Sequence, residues 1–180
     1  MAEAPASVWM AQAESDMKAG AELRASSHLD PVLRCQAVAK YQQAVEKSIK
    51  AAVAGLRDAK IAPRGPSFDH ELGPDFETLE VLPSRPRAKN VAYRVSQLVS
   101  PQMQSDMGRV LVLSPKRPDR SRGEIARLNT EYPYERAAGD WHAPAEPDSF
   151  SQGVVEEYAR IAGRTTEKCK RILDILELAP

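Results

Sequence analysis

Apolar residues recur at steps of three and four over long stretches of this chain, the spacing that lines one face of an α-helix. From residue 6 to 27, Trp9, Ala13, Met17, Gly20 and Leu23 share such a face, with Ser7 as the expected N-cap. Asp30 followed by Pro31 pairs a capping side chain with a proline at the first helical position, and so starts a second helix. Along it Val38, Tyr41, Val45, Ile49, Val53 and Leu56 form the apolar stripe, which puts Lys40, Gln43, Lys47 and Lys50 on the far side. This helix, running from residue 31 to about 56 and ~37 Å long, is the expected centre of the core.

Proline and glycine then break the pattern in "AKIAPRGPSFDHELGP" and "VLPSRPRAKN", leaving room for only a short helix at Asp75 to Val81. Val91, Val95 and Leu98 or Val99 make a third stripe, and Pro101 can open a further turn carrying Met103, Met107, Val110 and Leu111. One kinked helix and two separate helices both fit. "GRVLVLS" has strand-like composition, but a lone strand has nothing to pair with, so helix is the expectation. Three prolines in "LNTEYPYERAAGDWHAPAEPDSF" exclude a long helix there. The last helix, 151 to 178, places Val155, Tyr158, Ala162, Thr165, Cys169, Ile172 and Leu176 at unbroken steps of three and four. No segment alternates convincingly as a strand. The pattern predicts an all-α, antiparallel up-and-down bundle of four to five helices, one domain over 1–180 with an enlarged, loop-rich middle at about 57–150.

Composition narrows the function classes. With 180 residues, 42% of them hydrophobic, the chain can bury a core without disulfides or metal. Its 25 basic and 25 acidic side chains leave no net charge, which removes the surplus that drives nonspecific binding to nucleic acid. A local exception is the segment 116–127, where Lys116, Arg117, Arg120, Arg122 and Arg127 stand against Asp119 and Glu124. Such a segment could meet RNA phosphates or an acidic partner, or simply be solvated; it lacks an interleaved aromatic. Cys35 and Cys169 are far apart and fall in helical patterns, where cysteine is usually a small buried hydrophobe. Three scattered histidines argue against a metal site, and the absence of GxxxxGK[ST] and GxGxxG against a nucleotide cofactor. The start of the chain lacks a basic, apolar leader, and no run of about 18 apolar residues occurs, so the expected setting is cytoplasmic and reducing, without a membrane.

Several stretches, in order, resemble a known family. "WMAQAESDMKAGAEL", "RCQAVAKYQQAVEKSIKAAV", "FDHEL", "NTEYP" and "EEYARIAGRTTEKCKRIL" look like the successive pieces of HEPN domains, the higher eukaryotes and prokaryotes nucleotide-binding family. "QQAVEKSIKA" is the most specific of them. The resemblance covers about the first 72 residues and the last 50. It implies a four- or five-helix bundle, commonly a homodimer, in which the second helix, with Gln42, Gln43, Glu46 and Lys47, serves helix packing and dimer contacts. It further implies a link to RNA or nucleotide biology, as a toxin or defence nuclease beside a nucleotidyltransferase-type partner, or as a noncatalytic interaction module. A generic bundle outside the family is the remaining reading.

Catalytic members of that family are metal-independent RNases marked by an arginine followed, after four to six residues, by a histidine. The chemistry needs those types, because histidine moves protons near neutral pH and arginine holds phosphate oxygens bidentately. Two stretches carry the spacing: "RAAGDWH", with Arg136 and His142, and "RGPSFDH", with Arg64 and His70. Arg136 and His142 stand nearer the start of the last helix and are the expected catalytic pair, although prolines follow His142 at once. Trp141 beside it could stack on a base or plug the end of the bundle. His70 also suits a structural turn and His28 a helix terminus, and Glu46 with Lys50 reads as an i,i+4 pair on a solvated face.

Overall fold

The structure, a computed structural model, describes residues 4–62, 65–66, 72–81, 89–113, 128–131, 133–137 and 139–177. Arg64, His70 and the basic segment 116–127 lie outside the described residues. In chain order the elements are α1 (Ala6–Ser26), α2 (Leu33–Asp58), α3 (Leu72–Glu80), α4 (Lys89–Leu98), α5 (Pro101–Val112), β1 (Tyr134–Ala137), β2 (Asp140–His142) and α6 (Gln152–Glu177). The all-α expectation holds for the bulk of the molecule.

Contacts between the helices set their directions. Gly20 of α1 meets Tyr41 of α2, while Gly55 near the end of α2 faces Ala6 near the start of α1, so the two are antiparallel. Ser48 of α2 shares a 2.8 Å hydrogen bond with Thr166 of α6, and Gly55 faces Leu173 and Leu176, so α2 and α6 run the same way. Lys168 reaches Ser100, Arg164 grips Asp106 and Tyr158 reaches Arg109, which sets α5 antiparallel to α6. α1 and α5 therefore oppose α2 and α6.

Helix α2 is the central element. Val38, Tyr41, Val45, Ile49, Val53 and Leu56 are all buried to within 1%. Each fully buried aliphatic side chain of this kind stabilises the fold by about 1.5–3 kcal/mol. Cys35 and Cys169 are free and buried among them, and burial pushes both thiols up, Cys169 to about 12, which leaves them protonated and inert as nucleophiles.

Four local expectations are corrected, and one open alternative is decided. Ser7 lies inside α1; Pro5 occupies the N-cap position, with no side-chain cap. Asp30 does bond forward, accepting from the Val32 N–H at 3.1 Å, but the regular helix begins at Leu33, after a turn. Of the two arrangements left open for residues 91–111, the structure has two separate helices: Ser100 is the N-cap of α5, accepting from the Met103 N–H, and Pro101 prevents α4 from running through. Gly108 to Val112, the strand-like run, is helical within α5, as expected.

The third correction concerns α2, whose polar side is largely covered by α1 rather than open to solvent. Lys50 is 2% exposed and bonds to Glu46, itself 12% exposed, at 2.8 Å, with its ammonium 5.2 Å from the centre of the Trp9 ring on α1. Lys40 donates to Asp16 of α1 at 3.0 Å and to Gln43 at 2.9 Å, and Lys47 also binds Asp16. Gln42 accepts from Thr130 at 3.1 Å. The apolar stripe of α2 packs into the common core, with Tyr41 against Gly20 of α1, and α1 also covers part of the flank that the stripe left out. The fourth correction is the pair of strands, taken up next.

Candidate functional site

Arg136 and His142 lie on a two-stranded antiparallel hairpin that period-two alternation could not reveal, because its strands are four and three residues long. Gly139, at φ +84°, makes the reversal, a left-handed conformation that favours glycine. Tyr134 pairs with His142, Glu135 with Trp141 and Ala137 with Asp140, and the register slips between Glu135 and Ala137, at Arg136. Tyr134, 4% exposed, anchors the hairpin: its hydroxyl is 2.8 Å from Ser149 Oγ, and its ring lies 5.9 Å from the imidazole, tilted by 32°.

Each ring nitrogen of His142 faces a carboxylate. Nδ1 is 2.7 Å from Glu146 Oε2, and Nε2 is 3.1 Å from Asp140 Oδ2, an ion-pair contact out of line for a hydrogen bond. Glu146, then Asp140, hold the imidazole above its ordinary pKa. Glu146 is itself fixed by the Ala143 N–H, which donates to Oε1 at 3.0 Å; that bond and His142 keep its carboxyl below the usual range. Arg136 donates to Asp148 Oδ2 at 2.9 Å, and the guanidinium lowers the Asp148 carboxyl in turn.

The fold thus brings the expected pair onto adjacent strands and surrounds it with three carboxylates. The geometry favours the imidazolium. An imidazolium can release a proton as an acid, but it cannot act as the base that takes one from a 2′-hydroxyl. Asp148, Asp140 and Glu146 also oppose a phosphate diester approaching Arg136. Trp141 is 48% exposed on the hairpin, so it does not plug the bundle.

Sequence spacing missed Asp140, Glu146 and Asp148. The i,i+4 relation of His142 and Glu146 was visible, but not the turn over residues 143–149 that makes it a contact: Glu146 N–H bonds to Ala143 O and Ser149 N–H to Glu146 O. His28, just past α1, has its Nε2 3.4 Å from Gln152 Nε2, consistent with its helix-terminal reading. Among the described residues no group of three or more His, Cys, Asp or Glu is arranged to hold a metal ion, and no helix is long and apolar enough to cross a membrane. Compared with known family models, curated proteins and solved structures, the chain matches none.

Proposed function

We propose that this chain is a HEPN-like helical interaction module that works by binding a partner, with the Arg136 and His142 hairpin as a structural clasp. One observation carries the reading: both nitrogens of His142 face carboxylates, Glu146 at 2.7 Å and Asp140 at 3.1 Å. A clasp of this kind pins the chain between the strands and α6, and its carboxylates favour the imidazolium over the neutral base that RNA cleavage needs. The homodimer rests on the resemblance alone, and a nucleotidyltransferase-type partner, which rests on it too, would favour the second reading.

The second reading, a metal-independent RNase of a toxin or defence system, draws support from the placement of Arg136 and His142 on paired strands. It requires another subunit or RNA itself to displace Asp148 and Glu146. Incubating a mixture of transfer and messenger RNAs with the purified protein in EDTA separates the two. The module leaves the RNA intact, and its overproduction leaves growth unchanged. Cleavage that disappears in His142→Ala would replace the first reading with the second.

A further inference from the structure

A groove of about 400 Å³ runs between α4 and α6, at the opposite end of α6 from the hairpin, lined by Tyr93, Arg94, Gln97, Leu98, Arg171, Asp174 and Ile175. That volume lies within the usual range of small-molecule sites. Ile175 is buried and Leu98 half-buried, and both belong to the apolar core, so the floor is firm and greasy. Tyr93, 66% exposed, stands at the rim with an aromatic face open to solvent.

Charge is placed on both walls. Arg94 comes from α4, is exposed, and makes no ion pair among the described residues. Arg171 comes from α6 and gives its Nε to Glu167 at 3.1 Å, which leaves the outer guanidinium nitrogens for other acceptors. Lys168, one turn earlier on α6, does not line the groove and donates to Ser100 at 2.6 Å. Asp174 sits one turn beyond Arg171 and limits what fits. One anionic group can sit between Arg94 and Arg171, whereas a polyphosphate or nucleic-acid backbone would also meet the Asp174 carboxylate.

We propose that the α4–α6 groove binds a small amphipathic organic monoanion, a carboxylate or sulfonate with an aromatic or aliphatic body. Its charged end lies between Arg94 and Arg171, and its body covers Leu98 and Ile175 against the face of Tyr93. The site is separate from the hairpin and does not depend on how that region functions.

Anilinonaphthalene sulfonate, a fluorescent amphipathic monoanion, is a direct probe for the folded chain. Saturable binding at one molecule per chain is expected. Arg94→Glu should weaken it by about tenfold or more, since an attraction becomes a repulsion. Gln97→Trp, at an exposed position on the groove wall, should fill the space and abolish binding. Circular dichroism melts establish that both variants remain folded. A second cavity, about 290 Å³ and lined by Leu113, Phe150 and Val154 among others, provides the control, and Val154→Trp there should leave binding unchanged. Failure of the wild type to bind, binding indifferent to Arg94→Glu, or binding lost with Val154→Trp and kept with Gln97→Trp would each overturn the proposal.

Discussion

Two charge clusters of similar composition sit in opposite settings. Between α1 and α2, Asp16 is 3% exposed at its side chain and is held by Lys40 and Lys47, with Glu46 and Lys50 a turn further along. On the hairpin, His142 and Arg136 meet Asp140, Glu146 and Asp148 in reach of water. Burial alone would raise the Asp16 carboxyl, but hydrogen bonds from Lys47 and Lys40 outweigh it and hold the group below its ordinary value. Asp16 therefore stays ionised through the physiological range and acts as a register pin, since sliding α1 by a turn would take this buried carboxylate away from both of its lysines. On the hairpin, His142, with its raised pKa, is the group whose charge responds to pH. Similar ion pairs are structural cement in one place and a pH-responsive clasp in the other, and solvent access makes the difference.

The largest effect that would test this contrast is removal of the seam's central acid. Asp16→Ala leaves Lys40 and Lys47 facing each other. A loss of about 2–3 kcal/mol is expected in urea unfolding, below the 3–5 typical of fully enclosed pairs because Lys40, 37% exposed, can turn to water. A loss under about 0.5 kcal/mol would mean that the seam is no more than a surface pair. Acid should expose the same dependence: the Asp16 contribution is complete above the unfolded carboxylate value and disappears as pH falls through its lowered folded value.

Next in size is the close approach that lets the seam form. A Cβ at Gly20 would stand 2.9 Å from the Tyr41 ring, which is 1% exposed and cannot yield. Gly20→Ala should lose about 1 kcal/mol in the same measurement, overpacking outweighing the better helix propensity of alanine. At Gly55 the nearest atoms are the ends of Leu173 and Leu176, which can rotate away, so Gly55→Ala should be close to neutral. Equal costs at the two glycines would contradict this account of the α1–α2 contact.

The smallest effect belongs to the clasp. His142 has a raised pKa in the folded chain, so its contribution is fully present below the unfolded histidine value of about 6.5 and is lost as pH rises through the folded one. Melting temperatures between pH 6 and pH 9 should fall slightly in the wild type and less in His142→Asn. A variant with the same pH slope as the wild type would remove His142 from the clasp.

Long helices were legible from periodicity because burial on one side writes itself at 3.6 residues per turn. Val155 to Ile172 in α6 and Val38 to Leu56 in α2 are the clear cases. Lys50 was misread for the same reason: it lies off the apolar stripe, and the rule takes every such position as wet. Whether a second helix covers that flank, as α1 does with Trp9 and Asp16, is invisible to a pattern read along one helix. The hairpin was missed because strands of four and three residues carry too few positions to alternate. Arg136 and His142 could be named from spacing, but their neighbours Asp148 and Glu146 could not be assigned as partners until the turn at 143–149 folded them back.

By itself the sequence determined that the chain forms long amphipathic helices and where they begin and end to within a turn. Those properties are local, written in consecutive residues whose spacing the backbone converts directly into a face. Only the tertiary structure decided that Lys40 and Lys47 of α2 meet Asp16 of α1 while Lys50 is buried beside Trp9, that His142 sits between two carboxylates, and that Arg94 and Arg171 flank a common groove. Each depends on which elements meet across tens of residues, and a side chain's charge state and accessibility are set by what packs against it.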